Sequence, residues 1–166
     1  MNFDLIENRI IELFNVIPLD AKKGGWQNRM GAWTERIKKD LCDFGHDLDF
    51  SVACSGCDKS DDKEWLYDIL WWKQEGKYMP RVILALESEW SGELPFDDDF
   101  LKLMLARAEH HVWVFKADTE KSIHQSKDAC VDQLQHFQAV PPGDRFLFAG
   151  LACDSMKFHF DLYVYK

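Results

Sequence analysis

The stretch WLYDILWWKQEGKYMPRVILALESEW, residues 65–90, decides how the chain folds. Its first part, Trp65–Trp72, is aromatic and aliphatic except for Asp68, which predicts a strand with one carboxylate in its middle. Its last part, Arg81–Trp90, is almost continuously apolar until Glu87-Ser88-Glu89 and predicts a second strand. The connection Lys73–Pro80 contains Gly76 and suits a hairpin. Glu87 and Glu89 stand two residues apart, so a strand projects both from one face. If Asp68 opposes Glu87, the turn centres between Lys77 and Tyr78, inside that connection, and three carboxylates converge. A buried, unpaired carboxylate costs several kcal/mol, so Asp68 needs a partner, a proton or a metal. Without a metal the three groups repel, and at least one pKa rises. Such a cluster suits a hard cation: Mg²⁺ takes oxygen ligands, keeps waters and commonly adds substrate phosphate. A metal held there activates water and stabilises charge on a phosphodiester oxygen.

Working outward, Phe3–Val16 carries Leu5, Ile6, Ile10, Leu13 and Phe14 at helical spacing, and Pro18 is expected to close that helix. Lys22–Asn28, with Gly24 and Gly25, reads as a loop. A second helix is expected over about 30–44, with Trp33, Ile37 and Leu41 on one face. Phe50–Cys54 is a short strand. Downstream, Asp97 or Asp98 is expected to cap a helix running to about Glu109, with His110 and His111 favouring its C-terminal end. His111–Lys116 is a strand, Glu120–Phe137 a helix, and Arg145–Ala152 with Phe158–Tyr165 a closing strand pair. The order ααβββαβαββ makes an α/β sandwich with a central mixed sheet flanked by helices, expected as one domain over residues 1–166.

Asp68, followed nineteen residues later by Glu87-Ser88-Glu89 after an apolar run, resembles the PD-(D/E)XK nuclease superfamily, the restriction-endonuclease-like fold. The order helix, three strands, helix, strand over roughly residues 30–116 resembles the core of that family. The resemblance implies a metal-dependent nuclease hydrolysing phosphodiester bonds, with Mg²⁺ or Mn²⁺ as cofactor. Asp68 and Glu87 would be metal ligands, and Glu89 would stand where the family usually has its catalytic Lys, so Asp68, Glu87 and Glu89 form the implied catalytic set. Glu35, on the preceding helix, matches the additional acidic metal ligand of many members. This chain departs from the pattern in having Tyr67 in place of the motif proline and Glu89 in place of the Lys. Lys73 and Lys102 are the nearby cations that could substitute, although each reads first as a solvated surface lysine.

The charge balance is uneven. The net charge is −9, with 7 basic and 13 acidic side chains in residues 61–118. Lys22, Lys23, Arg29, Arg36, Lys38 and Lys39 are offset only by Glu35 within residues 22–39, and Trp26 and Trp33 interleave with them. That window is the expected nucleic-acid contact surface, through phosphates. The overall acidity favours a rival on the same fold: an inactive protein that binds a partner protein through its acidic surface, as immunity and inhibitor proteins do. Trp71, Trp72, Trp90 and Trp113 read as packing side chains rather than base-stacking platforms.

No apolar run is long enough to span a membrane, and the N-terminus lacks a signal-peptide core, so a cytoplasmic location is expected. Five cysteines, an odd number, fit reduced thiols. Cys42, His46, Cys54 and Cys57 together make four ligands for a zinc-stabilised module. Their irregular spacing, and the strand expected to end at Cys54, weigh against zinc and favour small buried or loop thiols.

Overall fold

The computed structural model describes residues 2–91 and 98–166. The elements are α1 (Leu5–Gly24), α2 (Met30–Asp47), β1 (Ser51–Cys54), β2 (Ile69–Glu75), β3 (Tyr78–Glu89), α3 (Asp98–Met104), β4 (Ala108–Ala117), α4 (Glu120–His136), β5 (Arg145–Ala152) and β6 (Lys157–Val164). Their order is the expected one. The strands form a six-stranded sheet in the order β1-β2-β3-β4-β5-β6. It is mixed: β1 and β2 are antiparallel, β4 and β5 parallel, and β5 and β6 antiparallel. The fold is therefore α/β, with four helices and one mixed sheet. The described residues fall into two compact units, Asn2–Ala85 and Leu86–Lys166, and the division lies within β3.

In the first unit α1 packs on α2, and α2 packs on β1 and β2. Asp4 and Glu7 form a capping box at the start of α1, each side chain accepting the other's backbone N–H at 3.0 Å. The expected stop at Pro18 does not occur, because α1 continues to Gly24. An interior proline costs about 3 kcal/mol, but Ile17, Pro18 and Ala21 are all buried, and that packing offsets the cost. Lys22 and Lys23 consequently sit in the last turn of a helix rather than in a loop. Phe14, Ile17, Trp33, Ile37, Leu41 and Trp71 are fully buried. Each aliphatic or Phe side chain among them contributes roughly 1.5–3 kcal/mol through burial. Where α2 crosses the sheet, a Cβ on Gly45 would lie 2.8 Å from Val52 Cγ2 and 2.9 Å from the Trp71 ring.

The hairpin forms, but with shifted bounds. The connection shrinks to Gly76–Lys77, and Gly76 has φ 58, the left-handed conformation a two-residue turn needs. The turn centre thus lies between Gly76 and Lys77 rather than between Lys77 and Tyr78. Asp68 stands immediately before β2 rather than in its middle. On the β1 side the ladder ends at the Cys54–Ile69 pair. Trp65 and Leu66 are exposed despite their strand-forming chemistry.

In the second unit α4 crosses over between the parallel strands β4 and β5, starting from a Thr119–Ser122 capping box. A Cβ on Gly150 of β5 would lie 2.5 Å from Ile123 of α4, so helix and strand are in close contact there. α3 is shorter than expected and ends at Met104. His110 and His111 therefore lie in β4, buried, and not at a helix end. Asp97, one of the expected capping residues, is outside the described residues. Trp71, Trp72 and Trp113 are buried as expected for packing, and Trp90 is half-buried. Among the described residues no helix is long and apolar enough to cross a membrane.

Candidate functional site

The carboxylates singled out in the sequence are placed in both units. In the first unit, Asp68 Oδ1 is 3.0 Å from Lys38 Nζ. Lys38 lies on the α2 face that turns toward the sheet, and its ammonium also donates to Glu64 Oε2 at 2.6 Å and Ser55 Oγ at 3.1 Å. Burial acts to lower the Lys38 pKa, but hydrogen bonds to Glu64 and Asp68 reverse the effect and raise it above the ordinary lysine range. Lys38 is thus directed inward and partnered, not exposed with the rest of the basic window. Sequence does not mark Lys38 as the partner of Asp68 and Glu64, because the helix that carries it is far from both along the chain.

In the second unit, Glu87 is buried near the end of β3 at 3% exposure. Lys102 Nζ, from α3, is 2.5 Å from Glu87 Oε1 and 2.9 Å from Asp99 Oδ1. Burial would lower the Lys102 pKa, yet the hydrogen bonds and charges of Glu87 and Asp99 hold it well above the ordinary range. Lys102 is therefore a fixed cation, suited to stabilising negative charge and unsuited to taking a proton. Glu89, on the same face of β3, is half-buried and accepts the backbone N–H of Ser91 through Oε1. Lys73 lies elsewhere, 3.2 Å from Asp49.

Glu35 is exposed on α2 and lines a cavity of about 560 Å³ with Arg36, Lys39, Cys42, Cys57 and Lys59 among its walls. Asp68 is not among the lining residues. Arg36 is engaged by Asp20 at 2.7 Å and by Asp40 at 2.8 Å. Lys22, Lys23, Arg29 and Lys39 are exposed. Trp33 is fully buried and donates to Gln27 O at 3.0 Å, with Trp26 edge-on to it at 5.4 Å. Of the six basic side chains expected on the nucleic-acid surface, four therefore face solvent, and Arg36 and Lys38 serve ion pairs within the fold.

Cys42 and Cys54 are buried and Cys57 is partly so. β1 ends at Cys54, and Gly56, at φ 76, lets the chain reverse so that Cys57 returns beside it. Cys42 comes from α2, and the three sulfurs lie within 4.8 Å of one another. Burial pushes the Cys42 thiol up to about 11 and the Cys54 thiol above its ordinary range. The signal in the sequence is the CxxC of Cys54 and Cys57, with Cys42 and His46 as further candidate ligands. Nothing in the sequence marks Asp61 as the partner of His46. His46 Nε2 is 2.9 Å from Asp61 Oδ2, and that oxygen also accepts the Val52 N–H at 2.7 Å. Burial would raise the Asp61 pKa, but His46 and the Val52 N–H hold it below the usual carboxylate range.

Set against known proteins, the chain matches no family model, no curated protein and no solved structure.

Proposed function

We propose that this chain is a nuclease-like protein that hydrolyses phosphodiester bonds with Mg²⁺ or Mn²⁺, with Glu87 as the carboxylate central to metal binding. The observation that carries this reading is the buried Glu87 carboxylate at the end of a strand, held by the ammonium of Lys102. A carboxylate so placed, beside a fixed cation, supplies two of the needs of phosphodiester cleavage. The carboxylate binds a divalent ion that activates water, and the ammonium stabilises charge developing on phosphate oxygens. Lys102 then provides from α3 the positive charge that Glu89 cannot provide from the motif position. Asp68, Glu89 and Glu35 remain the further acidic residues the resemblance assigns, and Lys22, Lys23, Arg29 and Lys39 the exposed phosphate contacts. A cytoplasmic location belongs to the same reading.

A second reading has its own support. Asp68 and Glu87 each already have a lysine as counter-ion, so neither requires a metal for folding. That favours an inactive relative using its acidic surface to bind a partner protein.

Cleavage of plasmid and single-stranded substrates with Mg²⁺ or Mn²⁺ separates the two. The nuclease reading expects metal-dependent cleavage, reduced at least about 100-fold in Glu87→Gln and in Lys102→Met. It is sunk if the folded wild type neither cleaves nor binds Mg²⁺ or Mn²⁺ by calorimetry.

A further inference from the structure

We propose that Cys42, Cys54 and Cys57, with His46 as fourth ligand, form a closed structural site for Zn²⁺, separate from any catalytic ion. Three thiol sulfurs within 4.8 Å of one another are the first observation. Sulfurs on a tetrahedral zinc, each about 2.3 Å from the metal, are about 3.8 Å apart. Contraction by about an ångström at most therefore converts the thiol set into a ligand set.

The second observation is the state in which the fold holds His46. Its ring lies one helical turn beyond Cys42, on the same face of α2, with Nδ1 4.0 Å from the Cys42 sulfur. Its Nε2 lies against Asp61, whose Oδ2 is itself anchored by the Val52 N–H. A carboxylate that accepts the Nε2 proton leaves the Nδ1 lone pair on the side of the thiols. That is the tautomer a metal-binding imidazole needs, and the carboxylate–histidine pairing is the usual support of such a ligand. His46 stands outside the three-sulfur set, on the Cys42 side, so as fourth ligand its ring must move toward Cys54 and Cys57 on metal binding.

The donor set selects the metal. Thiolates and an imidazole suit zinc, whereas Mg²⁺ and Mn²⁺ take oxygen ligands. Four protein ligands leave no open position, which makes the site structural rather than catalytic. Its effect is to fasten the C-terminal half of α2 to the end of β1 and to the turn at Ser55–Gly56. Cys42 and Cys57 also line the 560 Å³ cavity, so the metal would rigidify one of its walls.

The test uses the full chain. Protein purified without chelator is expected to contain one equivalent of zinc. Cobalt-substituted protein should show thiolate-to-cobalt charge transfer and tetrahedral d–d absorption. Cys57→Ser should lose the metal, and Cys153→Ser should retain it. Asp61→Asn should keep the cobalt spectrum but bind zinc about 10–100-fold more weakly. Alkylation mapped by mass spectrometry covers the case of a variant that fails to fold. In wild-type protein, Cys42, Cys54 and Cys57 should react only after chelator is added, whereas Cys153, which is exposed, should react at once. Absence of thiolate charge transfer in the folded wild type overturns the site. So does a Cys54–Cys57 disulfide in the purified protein, or full reactivity of the three thiols with zinc in excess.

Discussion

His111 shows how much a single side chain depends on its surroundings. Its ring stacks on Phe146 at 4.2 Å, with Nδ1 3.2 Å from Arg145 O and Nε2 3.1 Å from Ala106 O. A neutral imidazole donates through only one nitrogen, so the two carbonyls favour the charged form, as does the nearby Asp144. Burial and the neighbouring His110 oppose them, burial being the largest effect, and the pKa falls below 6.5. Between the lowered pKa and 6.5 the unfolded chain binds more protons than the folded one, so stability rises with pH there. His111's contribution is complete above 6.5 and is lost as pH falls through the folded pKa. Thermal melting should therefore drop more steeply from about pH 7 to about pH 5 in wild type than in His111→Gln. Parallel curves would show that His111 is not the titrating group. At this scale the acidic residues were legible because a carboxylate in an apolar run demands compensation. Their counter-ions were less so: Lys102 was marked only as a nearby cation and Lys38 only as part of the basic window, since nothing local marks which distant cation arrives.

Elements were legible wherever local pattern and tertiary demand agreed. β5 keeps its expected bounds, and α2 and α4 begin where expected, because the periodicity of each matches the burial it achieves and α4 has a capping box besides. α1 and β2 differ in opposite directions. Packing carries α1 through Pro18, whereas β2 begins only at Ile69, where its ladder with β1 ends. The crossing of α2 over β1 and β2 supplies a further test. A methyl group at Gly45 would press on Val52 and Trp71 at under 3 Å, and Trp71 is itself wedged between Phe44 and Phe50. Helix propensity favours Ala over Gly by about 1 kcal/mol, but overpacking costs about 1–3 kcal/mol. Gly45→Ala should therefore destabilise by up to about 2 kcal/mol in urea unfolding, whereas the exposed Gly31→Ala, with open space around its Cβ, should stabilise slightly. A stabilised Gly45→Ala would mean that α2 stands farther from the sheet.

For the whole molecule, charge is the property that most constrains function. A net charge of −9 opposes non-specific binding to nucleic acid, and the fold withdraws Arg36 and Lys38 from the basic window into ion pairs. Four exposed cations remain: Lys22, Lys23, Arg29 and Lys39. If they are the phosphate contacts, the log–log salt dependence of duplex binding should have a slope no steeper than about −4. Fluorescence anisotropy across a KCl titration measures it, and a steeper slope would place the contacts elsewhere. By itself the sequence determined the α/β class, the order of ten elements and the strand carrying Glu87 and Glu89, because apolar periodicity and turn chemistry are local. Only the tertiary structure decided that each main carboxylate meets a lysine, that two cations of the basic window turn inward, that three cysteines gather, and that His46 beside Cys42 meets Asp61. Those outcomes depend on which distant segments pack together, and the burial that brings them into contact is a property of the folded chain.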